Sequence, residues 1–203
     1  SGDAGAATFK WSHDGGTTYL GRDDPNQATW LGNTTLEINT ANVNSIDRKS
    51  HIIQAPNGQL LFIRIKRPPS DATISFSSNN GITFSSDVEF QTSTGIDPNG
   101  IDCAIVLRSG RIMCGSSNAV AVGIHYSDDN GLTWGWLDAS IKIMDMYELN
   151  NGNIIAVGDD AAKIISYTSM NGGFSFSAGV DVADTTNTQT APTVVQANDG
   201  TII

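Results

Sequence analysis

Four short polar segments of this sequence carry an acidic or amide side chain at the same position, and these are the side chains most capable of chemistry. They are Asp14, Asn79, Asp129 and Asn171. A carboxylate at such a place could act as a general acid or base, or bind Ca²⁺. Two of the four segments carry Asn instead, which lacks a carboxylate but still accepts hydrogen bonds from backbone N–H groups. We therefore predict that all four side chains brace turns and do no chemistry.

The two cysteines flank one turn signal. Cys103 and Cys114 lie on either side of the dipeptide 109–110, so we expect them on paired strands. Their register is open, because a change of one residue in the turn moves one of them to the other face. A disulfide would fit an oxidising compartment, and two small buried side chains are the favoured interpretation.

The histidines are dispersed along the chain, at His13, His51 and His125. None lies beside a Ser or Cys in a nucleophile–base arrangement, and no Gly-rich phosphate loop or metal-ligand spacing occurs. The sequence therefore predicts no metal site and no cofactor. Among the aromatic residues, Trp30 lies outside the repeated segments and is the best candidate to stack on a sugar ring. Trp136 lies two residues after Trp134, on the same face of the predicted strand, and is expected to pack in the protein and not to bind a ligand.

The four polar segments are copies of one eight-residue repeat, at 12–19, 77–84, 127–134 and 169–176, which we call the turn motif. All copies share Ser first, Asp or Asn third, Gly fifth, Thr or Ser seventh and an aromatic residue eighth. The glycines are Gly16, Gly81, Gly131 and Gly173. Glycine supplies a positive φ without steric cost, and the closing aromatic residue can cover apolar area between neighbouring sheets.

A second turn signal precedes three of the turn motifs. The dipeptides 57–58, 109–110 and 151–152 each end in Gly and precede an apolar run, which is typical of a β-hairpin. The glycines lie 19, 17 and 17 residues before the Ser of the next turn motif. One unit therefore reads as strand, hairpin turn, strand, loop, strand, turn motif and strand, which predicts a four-stranded antiparallel blade.

Strand-like runs occupy the expected places in three units. The predicted strands are 51–53, 60–65 and 72–76 in the first, 103–107, 112–114 and 121–126 in the second, and 141–147, 154–157 and 163–167 in the third. Residues 191–203 form a further strand–turn–strand segment around Asp199-Gly200. No segment of helical period interrupts them.

The turn motif resembles the Asp-box of the sialidase-type (BNR repeat) β-propellers. The resemblance implies an all-β fold, a β-propeller of four-stranded antiparallel blades with Asp-box turns on the rim away from the ligand face. We assign residues 47–203 to these blades, with the last blade incomplete. Residues 1–46 form a strand-rich segment with the first turn motif, either part of a split blade or the end of a preceding domain. The chain is then a partial propeller, which is favoured, or four blades closed by a split blade.

The same resemblance suggests candidate catalytic residues. In sialidases an Arg-Ile-Pro segment opens the first blade, and alignment places Arg48 there without the Ile and Pro. The segment 67–71 resembles the Arg-Pro-x-x-x-Asp stretch that carries the acid/base, one residue shorter, so Arg67 and Asp71 would be its counterparts. Asp71 runs directly into a strand, and Tyr147 and Glu148 are adjacent strand residues that point to opposite faces. A sialidase-like glycoside hydrolase, or a fragment of one, is therefore the alternative function.

Charge and composition, which is rich in Ser, Thr, Asn and Gly, favour a protein of an extracellular or virion surface. The net charge is −10, which disfavours nucleic acid and anionic membrane, and no apolar run is long enough to cross a bilayer. Arg108 and Arg111 flank a hairpin turn, where solvent-exposed side chains are expected. We predict a binding or structural module at an extracellular or virion surface, such as a phage tail or fibre component, that recognises glycan or protein. An oligomer or a neighbouring chain would then cover the open blade edge.

Overall fold

A computed structural model describes residues 50–66, 71–90, 101–117, 122–138, 142–159, 163–184 and 192–203 of the chain. The described part contains twelve β-strands and no helix. All of it belongs to one compact unit, Glu37–Ile203. Within this part, no helix is long and apolar enough to span a lipid bilayer.

The strands form three consecutive four-stranded antiparallel sheets, each built from neighbouring strands in chain order. The first blade is β1 (His51–Gln54), β2 (Leu60–Lys66), β3 (Asp71–Ser77) and β4 (Val88–Glu89). The second is β5 (Cys103–Val106), β6 (Ile112–Ser116), β7 (Gly123–Ser127) and β8 (Gly135–Asp138). The third is β9 (Asp145–Glu148), β10 (Ile154–Asp159), β11 (Lys163–Ser169) and β12 (Val180–Asp184).

The first strands of the blades lie side by side, β1 next to β5 and β5 next to β9. Sheets that meet along their first strands radiate from a common axis, as the blades of a propeller do. The described residues therefore form an all-β propeller of three blades and the first hairpin of a fourth. The predicted fold class is confirmed.

Hairpin turns close the first two strands of each blade, as the glycine signals predict. Gly58, Gly110 and Gly152 have φ of 86°, 93° and 88°, where a side chain would be strained. In two of these turns the Asn before the glycine also helps, because the Asn57 and Asn151 side chains accept hydrogen bonds from the N–H groups of Gln59 and Asn153 at 3.0 Å. Local chemistry thus fixes the register of each hairpin.

Apolar side chains from facing blades form the core. One cluster joins the first and second blades and includes Leu61, Ile112 and Trp134, and the other joins the second and third and includes Met113 and Ile154. Leu61 and Met113 each follow their hairpin-turn glycine by three residues, whereas Ile112 and Ile154 follow theirs by two. Each such side chain buried from water stabilises the fold by about 1.5–3 kcal/mol.

Residues 192–203 form the predicted hairpin beside the third blade. The Val195 and Ile203 backbones exchange hydrogen bonds at 3.0 and 2.9 Å, and Gly200 in the turn has φ of 91°. The Val194 N–H donates to the Asp145 carboxylate at 2.9 Å, which ties the hairpin to β9. The hairpin therefore follows β9 as β9 follows β5.

One predicted boundary is wrong. The third blade was expected to begin near 141, but β9 begins at Asp145. Lys142 and Ile143 precede the strand, and Ile143 is fully buried in the core cluster shared with the second blade. Its apolar character therefore reflects packing of the connection and not strand pairing. The segment 1–46 and its first turn motif lie outside the described residues, so the predicted division at residue 47 stays a prediction.

Candidate functional site

The turn motif of the second blade is closed by side-chain hydrogen bonds. The Ser127 hydroxyl donates to the Asp129 carboxylate at 2.8 Å and accepts from the Gly131 N–H at 2.8 Å. Asp129 Oδ1 also accepts from the Leu132 and Thr133 N–H groups at 3.1 and 2.8 Å, and Oδ2 accepts from the Thr133 hydroxyl. Asp129 is thus fully occupied within its own turn.

The two copies with Asn use the same geometry with one hydroxyl reversed. Asn79 Oδ1 accepts from the Ser77 hydroxyl and the Thr83 N–H at 2.9 and 3.0 Å, while its Nδ2 donates to the Thr83 hydroxyl at 2.8 Å. Asn171 does the same with Ser169 and Ser175. Because a Thr or Ser hydroxyl can donate or accept, the motif accommodates either Asp or Asn at its third position.

The fourth position of the motif, which the sequence comparison left out, also adopts a left-handed backbone. Asn80, Asn130 and Gly172 have φ of 57°, 62° and 69°, next to glycines that are left-handed too. Asn and Gly are the residues that tolerate this conformation best. The restriction of this position to Asn and Gly in all four copies was the signal that sequence reasoning missed.

Hydrogen bonds keep Asp129 ionised. Burial on its own would raise the pKa of this carboxyl group, but hydrogen bonds from the Thr133 side chain and N–H, from Ser127 and from Leu132 together outweigh it. The pKa of Asp129 is therefore lowered from 3.8. A group held as an anion at neutral pH, and surrounded by donors, is a poor general acid.

The motif glycines face the preceding blade. A Cβ on Gly131 would lie 2.4 Å from Leu61 Cδ2, and a Cβ on Gly173 would lie 2.6 Å from Met113 Sδ. Trp134, which closes the second motif, is buried and stacks on Phe90 with ring centroids 4.2 Å apart. The turn motifs of the second and third blades therefore each pack against the blade before them.

Arg111 contradicts the expectation of a solvent-exposed hairpin tip. Its residue exposure is only 6%, because the guanidinium lies 4.7 Å from the Tyr126 ring centroid and 3.8 Å from that of Phe174. It also binds the Asp128 carboxylate through two nitrogens and donates to the Gly172 carbonyl at 3.4 Å. The arginine is buried because aromatic and acidic groups of two adjacent blades converge on it, which a linear sequence does not show.

Arg108, on the other side of the hairpin turn, links the second blade to the third. Its N–H donates to the Glu148 carboxylate at 2.7 Å, and its guanidinium donates to the carbonyls of Leu149 and Asn150. In the same way, the Asn150 N–H donates to Gln196 Oε1 of the last hairpin at 2.8 Å. In both links, a backbone N–H in the hairpin turn of one blade donates to a side chain that follows in the next hairpin.

These links follow a rule that the sequence contains. Each donor lies two residues before its hairpin-turn glycine, and each acceptor, Glu148 or Gln196, lies four residues before the next one. In the first interface the donor position holds Pro56, which has no N–H, and the acceptor position holds Val106. Asn130 of the second turn motif supplies the replacement, accepting from the Asn57 N–H at 3.2 Å.

The third described arginine is also paired. Arg64 Nη2 donates to both oxygens of Asp87 at 2.8 and 2.7 Å, and Asp87 also accepts from the Ser75 hydroxyl at 2.6 Å. Arg64 further lies 5.4 Å from the Phe62 ring centroid. Arg64, Arg108 and Arg111 are thus each held by a carboxylate within the described structure.

Of the candidate catalytic residues, only Asp71 falls among the described ones. It is the first residue of β3 and pairs with Lys66 of β2, so its backbone belongs to a strand and not to a loop. Arg48 and Arg67 lie outside the described residues, as do Trp30, Asp14 and Gly16. The roles suggested for these five residues remain predictions.

Tyr147 and Glu148 do not form a catalytic pair. They face Ile155 and Ile154 at consecutive positions of the β9–β10 ladder, so their side chains point to opposite faces of the blade. Glu148 is also engaged by Arg108 at 3.4 Å. The sequence argument against their joint action on one substrate agrees with this register.

Neither cysteine forms a disulfide and both are buried, as the favoured interpretation predicted. Cys103 pairs with Gly115 and Ala104 with Cys114, so the two thiols lie on opposite faces of the sheet. Burial, and to a smaller extent the nearby Cys103, raise the pKa of the Cys114 thiol well above its ordinary value. Such a thiol is a weak nucleophile.

The remaining titratable groups form no metal centre in the described part of the chain. His125 is buried on β7, with its ring perpendicular to that of Phe90 at a centroid distance of 5.5 Å. On the end of the blades opposite the turn motifs, Asp102 accepts from the Ser117 N–H at 2.7 Å and Lys142 lies 3.8 Å from Asp159. These charged groups are positioned by their own blades.

Comparison with known proteins yields structural likeness only. No protein-family model matches this sequence, and no curated protein matches it. A solved structure of a protein of unknown function from Dyadobacter fermentans DSM 18053 matches with a TM-score of 0.50 and 16% identity, over 75% of this chain and 54% of that chain. This chain therefore spans about half the length of that protein, and the likeness shows the fold alone.

Two solved NanB structures are also similar. A point mutant of NanB sialidase from Streptococcus pneumoniae matches with a TM-score of 0.46 and 21% identity, over 63% of this chain and 22% of that chain. NanB with Optactamide matches with a TM-score of 0.46 and 22% identity, over 65% and 23%. This chain spans less than a quarter of either.

Proposed function

We propose that this protein is a non-catalytic binding or structural module of an extracellular or virion-surface protein, such as a phage tail or fibre component, and that it recognises a glycan or another protein. The observation that carries the proposal is the engagement of Arg64, Arg108 and Arg111 by carboxylates of the chain itself. Recognition of a sialic acid carboxylate calls for guanidinium groups that are clustered and free to bind it. The described arginines are instead part of the scaffold.

The geometry of the candidate acids supports the same conclusion. Retaining glycoside hydrolysis needs an acid/base and a nucleophile on opposite sides of one anomeric centre. Asp71 begins a strand, and Tyr147 and Glu148 point to opposite faces of another blade. This arrangement favours binding over a sialidase-like activity, which remains the alternative that an experiment must exclude.

The ligand would bind at the end of the propeller opposite the turn motifs. In each blade, the connection from the second to the third strand and the connection to the next blade emerge at that end, by antiparallel topology. Loops held on a rigid scaffold are where binding residues concentrate. The acidic net charge of −10 makes neutral glycans or basic protein surfaces better partners than nucleic acid.

A paired assay tests the proposal. The full chain and its Asp71→Asn variant are compared for release of a fluorescent aglycone from a sialoside, and both are applied to a glycan array. We expect glycan binding by both proteins and turnover by neither. Turnover that the substitution abolishes would overturn the non-catalytic assignment. Absence of both binding and turnover would remove glycans from the proposal. Recognition of a protein would then be tested by binding measurements with a defined protein partner.

A further inference from the structure

The sixth position of the turn motif carries a large apolar side chain in every described copy. Ile82, Leu132 and Phe174 occupy it and are 49%, 72% and 63% exposed. Met170, at the second position of the third blade's motif, is 79% exposed. We call these four side chains the apolar tips. Apart from the closing aromatic residue, the rest of each described turn motif consists of Ser, Thr, Asn, Asp and Gly.

The fold uses the backbone of the sixth position and not its side chain. The Leu132 N–H donates to the Asp129 carboxylate at 3.1 Å, and the Ile82 N–H donates to the Asn79 carbonyl at 3.3 Å. The apolar tips belong to neither of the two core clusters. Single apolar residues on a surface are ordinary, but the same exposed position filled in three consecutive blades marks a binding surface.

Arg111 brings the tips of the second and third blades close together. Its Nε donates to Asp128, in the same turn as Leu132, at 2.7 Å. The guanidinium also lies 3.8 Å from the ring centroid of Phe174, in the same turn as Met170. Two turns that contact one guanidinium are neighbours on the surface. Their tips can therefore contact a single partner.

Negative charge accompanies the apolar tips. The hairpin turns lie at the same end of the blades as the turn motifs, because Leu60, just after a hairpin turn, pairs with Ser77, the first motif residue. Asp129 and Asp199 are in turns at this end, and neither forms an ion pair with a described residue. The N–H and side chain of Thr201 lower the pKa of Asp199, and the pKa of Asp129 is lowered too. Both are anions at neutral pH.

The described cations do not offset this charge. Arg108 and Arg111, at the same end, are each paired with a carboxylate of the chain. Lys66, Lys142 and Lys163 lie at the opposite end, at the last residue of β2, before β9 and at the first residue of β11. The turn-motif end of the described blades thus combines exposed apolar side chains with a surplus of negative charge.

We propose that the apolar tips, together with Asp129 and Asp199, bind a protein surface on which lysine or arginine side chains stand beside apolar ones. Apolar contacts supply affinity, and the carboxylates select a cationic partner. The same carboxylates disfavour an anionic membrane, and a neutral lipid surface offers them no partner. This surface lies at the end opposite the connections assigned to the ligand above, so its test is independent of the sialoside and glycan assays.

A synthetic peptide of alternating lysine and leucine tests this proposal with the full chain. Amide chemical shifts of the chain report where the peptide binds. We expect saturable binding with the largest shift changes in the turn motifs. Peptides of alternating lysine and serine, or glutamate and leucine, lack half of the required chemistry and should bind at least about tenfold more weakly. Equal binding of the three peptides, or shift changes that spare the turn motifs, would overturn the proposal.

Two double variants measure the apolar contribution. Leu132→Ser with Met170→Ser removes two apolar tips and should weaken binding of the lysine–leucine peptide by at least about tenfold. The matched control is Val180→Ser with Val182→Ser, because both valines are 61% exposed on β12, an edge strand of the third blade. The control should bind as the wild type does. Similar losses in the two variants would contradict a specific role for the tips.

A pair of single variants measures the contribution of charge. Asp129→Asn keeps the turn, as Asn79 and Asn171 do in theirs, and should weaken peptide binding by about twofold to fivefold at low salt. Glu89→Gln removes an equal charge from an exposed position on β4 and should leave binding unchanged. Equal effects would mean that net charge alone attracts the peptide, which would overturn the assignment to the turn-motif end.

Vesicles of neutral phosphatidylcholine test the competing lipid partner. We expect no binding of the wild-type chain to them. Vesicle binding that the Leu132→Ser and Met170→Ser double variant loses would assign the tips to a lipid surface and overturn the proposal.

Discussion

Arg111 forms a two-point ion pair with Asp128: Nε donates to Oδ1 at 2.7 Å and Nη2 donates to Oδ2 at 2.8 Å. Asp128 belongs to the turn motif of the second blade, and the guanidinium also lies 3.8 Å from the ring centroid of Phe174, in the turn motif of the third. The arginine thus acts as a clasp between two blades. A cation between aromatic rings and a carboxylate is stabilised by both.

Replacing Arg111 by Met should destabilise the protein by about 2 kcal/mol, because the cation–π contacts and the two-point ion pair are lost while the apolar volume is kept. Urea unfolding of the two proteins measures the difference. The matched control is Asp128→Asn, which keeps the guanidinium between its rings. Since Asp128 is largely exposed, this control should cost less than about 1 kcal/mol. Equal losses in the two variants would contradict the clasp.

At the third position of the turn motif, Asp129→Asn should be tolerated at neutral pH and Asp129→Ala should not. Asn keeps an acceptor oxygen in this place, and in their own turns Asn79 and Asn171 accept from the N–H of the seventh position, the counterpart of Thr133. Ala leaves the Leu132 and Thr133 N–H groups without their partner, at a cost of about 1–2 kcal/mol, similar to the loss of a helix cap. Thermal unfolding of both variants distinguishes the two outcomes, and an equal effect would exclude a turn-bracing role.

The stability conferred by Asp129 should depend on pH below its ordinary pKa. In the folded protein the pKa of Asp129 is lowered from 3.8. As the pH falls, this carboxylate is therefore protonated in the unfolded chain before it is protonated in the folded one. The contribution is therefore fully present above about pH 5 and is lost as the pH falls through the folded pKa. We expect the stability difference between wild type and Asp129→Asn to be constant from pH 7 to pH 5 and to shift toward the variant near pH 3. A constant difference throughout would show that the carboxylate has no special environment.

The sequence predicts the parts of this fold that depend on local chemistry. Glycine at a left-handed position, an Asx side chain that closes its own turn, and apolar runs of strand length all act within a few residues. The hairpins at Gly58, Gly110 and Gly152 and the strands around them were therefore predicted close to their observed positions. Repetition added the order of the strands within a blade.

Relationships between blades were harder to predict. The burial of Arg111 depends on Phe174, more than sixty residues later, and the role of Glu148 depends on the turn at Arg108. A contact between two blades leaves no periodic pattern in the sequence of one repeat. Aligning the repeats on the hairpin-turn glycines would have revealed the Glu148 and Gln196 positions, because an acidic or amide side chain follows each available N–H donor.

The motif glycines provide a test of blade packing that separates backbone strain from contact. Gly131 and Gly152 have φ of 86° and 88°, so Ala at either position pays a similar conformational cost of about 1 kcal/mol. A Cβ at Gly152 meets no atom within 4 Å, whereas one at Gly131 meets Leu61 at 2.4 Å. We expect Gly131→Ala to lower the melting temperature clearly more than Gly152→Ala. Equal decreases in melting temperature would contradict the contact between the Gly131 turn and the first blade.

Amide hydrogen exchange at the motif glycines tests the central claim most directly, that side-chain-braced turns hold these blades together. The N–H groups of Gly81, Gly131 and Gly173 each donate to a buried serine hydroxyl at 2.8, 2.8 and 2.9 Å. We predict that all three exchange at least about a hundredfold more slowly than the amide of Gly172, which precedes Gly173 in the turn motif of the third blade. Exchange of the three glycines at the rate of Gly172 would contradict the account.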